Sequence, residues 1–182
     1  MKKLTLFRHA KSGWDDPVAR DFDRPVNKRG IRAAELMGKY AAEQNMRFDH
    51  MVSSPAVRCI ESLDAFFEGY GATIEPQWDR RVYLASAANL LDVLRETPAP
   101  VESLILVGHN PGLEDLILNL VPDNGKNPLR DEVERKFPTA SIAVIGFEGD
   151  DWAKLAEGKC QLLSFTRPRD LDPALGPEDE DH

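Results

Sequence analysis

Along this chain, short apolar runs alternate with longer stretches in which apolar residues recur every three or four positions. Leu4-Thr5-Leu6-Phe7 is too brief for a core helix and long enough for a buried strand, which predicts a first strand over 3–8. Leu104-Ile105-Leu106-Val107 is the clearest run of this kind. Further strands are expected near 49–53, 72–76, 141–147 and 160–165. Between them, Ile31, Ala34, Met37 and Ala41 mark a helix over 28–44 capped by Asn27. Val57, Ile60, Leu63 and Phe67 mark a second, from Pro55 to Glu68, with Ser54 as its cap. Leu90, Leu91 and Leu94 mark a third over 86–96. Leu113, Leu116, Ile117 and Leu120 mark a fourth, capped by Asn110 and opened by Pro111. Residues 12–27 and 122–138 read as loops. Strands alternating with helices predict an α/β protein: a three-layer α/β/α sandwich with a mostly parallel central sheet of about five or six strands.

Charge adds an asymmetry to this picture. The net charge is −8, which argues against nonspecific nucleic-acid binding. Six acidic residues and no Lys or Arg lie within 170–182, so most of the excess sits at the C-terminus. Over 8–32 the balance reverses: seven basic residues face four acidic ones, a local +3. A basic segment in an acidic protein suits an anionic substrate. A single domain over 1–168 followed by an acidic, proline-containing, disordered tail over 169–182 accounts for this distribution. Cys59 and Cys160 lie in apolar patterns and are expected to be reduced and buried. The apolar run after Met1-Lys2-Lys3 is too short for a signal peptide and nothing approaches a membrane span, so a cytoplasmic location is expected, with no membrane partner. The sequence is silent on oligomeric state.

The chemistry gathers at strand ends. Arg8 and His9 follow the first strand, Arg58 follows the second, and His109 follows the Leu104 run. Ligands in open α/β sheets bind beyond the carboxyl ends of strands, and helix N-termini there favour anions. Two guanidiniums can fork onto phosphate oxygens, and a neutral imidazole can attack phosphorus. Together these residues point to phosphoryl transfer through a histidine. No Asp or Glu stands at ligand spacing from the histidines, and the arginines would repel a cation, so neither a metal nor another cofactor is expected. Cys59 is not a tyrosine-phosphatase nucleophile, because Ala65 stands where that loop needs arginine. Trp14 is expected to pack in the core, with a loop anchor or a recognition surface as the alternatives, and His50 to be structural or exposed.

The same residues resemble a known signature. Arg8-His9-Ala10-Lys11-Ser12 is similar to the Arg-His-Gly motif of the histidine phosphatase superfamily, the phosphoglycerate-mutase-like enzymes, and most resembles the SixA group of phosphohistidine phosphatases. The resemblance continues through Asp21–Gly30, Ser53–Arg58, Val107–Leu113 and Phe137–Ser141, and covers about residues 3–168. It implies that His9 is the nucleophile that becomes phosphorylated and that Arg8, Arg58 and His109 complete the phosphate pocket. Lys11, Ser12, Arg24 and Asn27 are candidates for contacting substrate. Ala10 departs from the usual glycine. The segment 81–87 lacks the carboxylic acid that mutase-like relatives keep there, with Asp15, Asp21, Asp23 and Glu114 as possible substitutes. A P–N bond cleaves with less acid help than a P–O bond, so the expected substrate is a phosphohistidine-bearing protein or another phosphoramidate. A small-molecule phosphatase or mutase and a non-catalytic phosphoprotein-binding module are the alternatives.

Overall fold

The computed structural model describes residues 1–13 and 20–176. Its centre is a six-stranded sheet in the order β3-β2-β4-β1-β5-β6. The strands are β1 (Lys2–Arg8), β2 (His50–Ser53), β3 (Gln77–Trp78), β4 (Ser103–Gly108), β5 (Ile142–Phe147) and β6 (Cys160–Thr166). Strands β3, β2, β4 and β1 run parallel, and β5 and β6 are antiparallel additions at one edge. The six-stranded mixed sheet lies between helical layers, as the alternating pattern predicts. Its shortest member lies at 77–78 rather than 72–76, with both residues exposed.

Strand alternation sends apolar residues to both faces. Leu4, Leu6, Leu104, Leu106 and Ile145 pack with α3 (Ala87–Arg95) and α4 (Gly112–Leu120). Phe7, Met51, Ile105, Val107 and Ile142 pack on the opposite face with α1 (Lys28–Glu43) and α2 (Val57–Tyr70). Each such aliphatic or aromatic side chain contributes roughly 1.5–3 kcal/mol on burial. Helices α1 and α2 touch backbone to backbone at Gly38 and Gly69, where a Cβ would collide with the Phe66 and Glu35 carbonyls. Cys59 and Cys160 are both buried free thiols. His50 opens β2 and is partly buried.

Caps explain where helices begin. Asn27 accepts from the Gly30 N–H, and Ser86 from the Asn89 N–H, as expected of N-caps. Ser54 is a correction, and Asn110 is one only in position, since its Oδ1 still accepts from the Glu114 N–H at 3.2 Å. Helix α2 starts at Val57 and α4 at Gly112, with Ala56 and Pro111 as caps that make no side-chain cap hydrogen bond. Another correction lies within 122–138, where α5 (Pro128–Arg135) stands in place of a loop. It buries few apolar groups and is anchored by Arg130, whose Nε donates to the Val121 carbonyl at 2.9 Å. Beyond β6 the chain also departs from the expected disorder: α6 (Pro168–Leu171) and a 3-10 turn (Pro173–Leu175) are folded, and Arg29 donates to the Gly176 carbonyl at 2.7 Å. The end of the acidic tail, 177–182, lies outside the described residues, as do Trp14 and Asp15.

Candidate active site

Strand register brings the two histidines together. Arg8 pairs with Gly108 across β1 and β4, so the next residue on each strand is a histidine. His9 N–H donates to the Gly108 carbonyl at 3.1 Å, and the two imidazole centres lie 5.3 Å apart. Ser54 N–H donates to the Val107 carbonyl at 3.0 Å, which sets the β2–α2 junction beside His109. Arg58, in the first turn of α2, then reaches the same place. Arg8, His9, Arg58 and His109 line one open cleft of about 480 Å³, with Asp21, Arg24, Asn110, Lys136 and Phe137 on its walls.

All four central residues are buried, with Arg58 at 2%, His9 at 2% and His109 at 3% exposure. His9 Nδ1 lies 2.8 Å from the Ala10 carbonyl oxygen, which can only accept. The hydrogen of the neutral ring is therefore on Nδ1, and Nε2 carries the lone pair. Burial, followed by the Arg8 and His109 fields, holds His9 well below its ordinary pKa, so the ring is neutral. Ala10 is not among the residues with positive φ, so the methyl in place of the usual glycine brings no backbone strain. Its N–H donates to Ser62 Oγ at 2.7 Å, fixing the loop behind His9. Ala140, with φ of 60°, turns its N–H onto the carbonyls of both Arg8 and His9.

The arginines are held in place. Arg8 donates to the Phe137 carbonyl at 2.8 Å. Arg58 donates through one terminal nitrogen to the Asp21 carbonyl at 2.7 Å and through the other to the Asp21 carboxylate at 3.0 Å. The same carboxylate accepts from Arg24 Nε at 3.0 Å and from the Tyr83 hydroxyl. Burial pushes the Asp21 carboxyl up, but hydrogen bonds from Tyr83, Arg58 and Arg24 outweigh it and bring it to about 2. Asp21 is thus an ionised clamp. Arg58 Nε and His109 Nδ1 are buried with no hydrogen-bond partner among the described residues. A buried donor without a partner costs roughly 1–3 kcal/mol, which an anion in the cleft would relieve. Burial, then the Arg58 charge, pushes His109 down to about 3.

The outer candidates separate. Arg24 is buried on the cleft wall and donates to Ser12 Oγ at 2.6 Å, so Ser12 supports Arg24. Asn27 is an α1 cap and does not line the cleft. Lys11 lines a neighbouring hollow with Arg29 and Arg167, and Lys136 borders both spaces. Sequence reasoning did not find Tyr83, Ser54, Lys136 or the clamping role of Asp21; only Tyr83's place in the acid-lacking segment drew attention to it. Among the acid candidates, Asp23 is exposed and paired with Arg20. Glu114, partly buried in the first turn of α4, is raised by burial.

Comparison with known proteins agrees with this geometry. Residues 4–81 match the model of the histidine phosphatase superfamily (branch 1). An uncharacterized protein of Mycobacterium tuberculosis is 31% identical over 163 residues, covering 89% of this chain and 99% of its own. Two solved structures align over 92% of the chain. One, assigned as the phosphohistidine phosphatase SixA of Agrobacterium tumefaciens, has 29% identity and a TM-score of 0.76 over 98% of its length. The other, assigned as SixA of Nakamurella multipartitia, has 27% identity and a TM-score of 0.79 over 96%. The chain belongs to the histidine phosphatase superfamily. Within it the architecture is SixA-like, and the protein is a phosphatase. Among the described residues, no helix is long and apolar enough to cross a membrane.

Proposed function

We propose that this protein is a phosphohistidine phosphatase that works through a phosphohistidine at His9. The Nδ1–Ala10 hydrogen bond supports the first step, since it leaves the Nε2 lone pair to attack phosphorus. As the new N–P bond forms and the bond to the leaving nitrogen breaks, the ring becomes cationic, and the Ala10 carbonyl accepts from its Nδ1–H. Arg8, Arg58 and His109 would bind the phosphoryl oxygens, with Arg24 at the wall, and water would then release phosphate from His9. No step in this scheme uses a metal.

One observation carries the choice of substrate. Segment 81–87 lines the cleft with Leu84, and its Tyr83 hydroxyl donates to an Asp21 held at about 2. Neither group is poised to give a proton to a departing oxygen at neutral pH. A protonated imidazole nitrogen leaves with less help. A phosphohistidine-bearing protein or another phosphoramidate is therefore the favoured substrate. Glu114 supports a second reading, as a phosphate-ester phosphatase: its N–H is held by the cleft-wall residue Asn110, and burial raises its carboxyl in the direction a general acid needs.

The test is a comparison of kcat/KM on phosphohistidine protein, phosphoramidate and an alkyl phosphate, with a quench for labelled enzyme. The phosphoramidate class should exceed the alkyl phosphate by about 10²–10⁴. The trapped label should be acid-labile, base-stable and absent from His9→Ala. Equal efficiency on the alkyl phosphate, lost in Glu114→Gln, would give the ester reading the lead; full turnover in His9→Ala would end both.

A further inference from the structure

Ser54 lies at the junction of β2 and α2 with its side chain fully buried, yet nothing in the phosphoryl-transfer scheme uses it. Its Oγ sits 2.7 Å from His109 Nε2 and accepts from the Ala56 N–H at 3.2 Å. The Cys59 sulfur lies 3.7 Å from the same imidazole nitrogen. Burial pushes that thiol up to about 12, so it stays protonated and is no alternative charge partner. On the other side of the ring, His109 Nδ1 is buried without a partner among the described residues, in a residue that lines the cleft.

A neutral imidazole has one N–H, so two arrangements are open. If Nε2 carries the hydrogen and donates to Ser54, the hydroxyl's own hydrogen is left with the thiol sulfur, a weak acceptor. Nδ1 would then present a bare lone pair in a cleft built for an anion. If Ser54 donates to Nε2, its oxygen can accept from the Ala56 amide, and the ring hydrogen moves to Nδ1. Both ends of the imidazole are then used: Nε2 as acceptor, Nδ1 as donor. Protonating the ring instead would satisfy both nitrogens, but burial first, and then the Arg58 and Arg8 charges, oppose a further positive charge there.

We propose that the Ser54 hydroxyl is a positioning residue that fixes the tautomer of His109, so that Nδ1 presents its hydrogen to the phosphoryl oxygens. The inference rests on the phosphatase reading for its consequence, but not for its first observable. His109 would act as a neutral donor oriented from behind, while the charge needed by the phosphoryl group comes from the arginines.

The experiment is long-range ¹H–¹⁵N NMR of the substrate-free full chain with ¹⁵N-histidine, at neutral pH. His109 is assigned by its disappearance in His109→Asn. The wild-type ring should carry its hydrogen on Nδ1. Ser54→Ala should populate the other tautomer and lower kcat by about tenfold, as for loss of one hydrogen bond, with KM changed far less. Ser54→Thr, which keeps the hydroxyl, should restore both. A wild-type ring protonated on Nε2 overturns the inference even if Ser54→Ala fails to fold. So does a Ser54→Ala protein with unchanged tautomer and kcat. If the wild-type tautomer is as expected but no phosphoramidate is turned over, the functional reading fails and the positioning of His109 by Ser54 stands.

Discussion

Two buried neutral histidines make stability fall with acid, and the size of the effect follows from the structure. His9 and His109 both sit well below the ordinary histidine value of 6.5, the latter at about 3. In the unfolded chain they would titrate near 6.5. As pH falls below that value, the unfolded state takes up two protons that the folded state refuses. Stability therefore rises with pH through this window and is lost on acidification. For one such group, the change between about pH 7 and about pH 5 is about 2 kcal/mol, and for two about 4 kcal/mol. That is a large part of the roughly 5–15 kcal/mol typical of a domain. Urea melts of the wild type, His9→Asn and His109→Asn at several pH values measure it. Each variant should lose about half of the wild-type slope. Carboxylates such as Asp21, held at about 2, act in the same direction but at lower pH. A wild-type curve that stays flat from pH 7 to pH 5, or variants with an unchanged slope, would refute the claim that the resting site is two uncharged rings.

The remaining expectations concern the groups around the phosphoryl position. Arg58→Ala should lower kcat/KM by about 10²–10³, as for loss of an electrostatic donor, with circular dichroism unchanged. Asp21→Asn tests the ionised clamp: it should lose no more than about tenfold, mostly in KM, whereas a general acid would lose about 10²–10⁴ in kcat. Turnover assays in EDTA should match untreated enzyme; loss of activity restored by a divalent cation would contradict a metal-free route.

Local pattern in the chain determined a good deal. Strand and helix alternation, the buried runs at Leu4–Phe7 and Leu104–Val107, and the cap at Asn27 depend on neighbours within a few residues, where sequence speaks directly. Arg8, His9, Arg58 and His109 stood out because each follows a strand. Helix α5 was hidden, since its hold is a buried arginine on distant carbonyls rather than an apolar stripe. The Ser54 side chain could have capped a helix, but His109 claimed it, whereas Asn110 divides its amide between the Phe137 carbonyl and the Glu114 N–H in the first turn of α4. Asp21 read equally well as a proton donor. Only the convergence of Arg24, Arg58 and Tyr83 from three separate segments makes it a permanent anion. The charge state of His9 is likewise tertiary. Its neutrality follows from burial beside Arg8 and His109, which the register of β1 against β4 brings about, whereas its tautomer follows from the carbonyl of the next residue, Ala10.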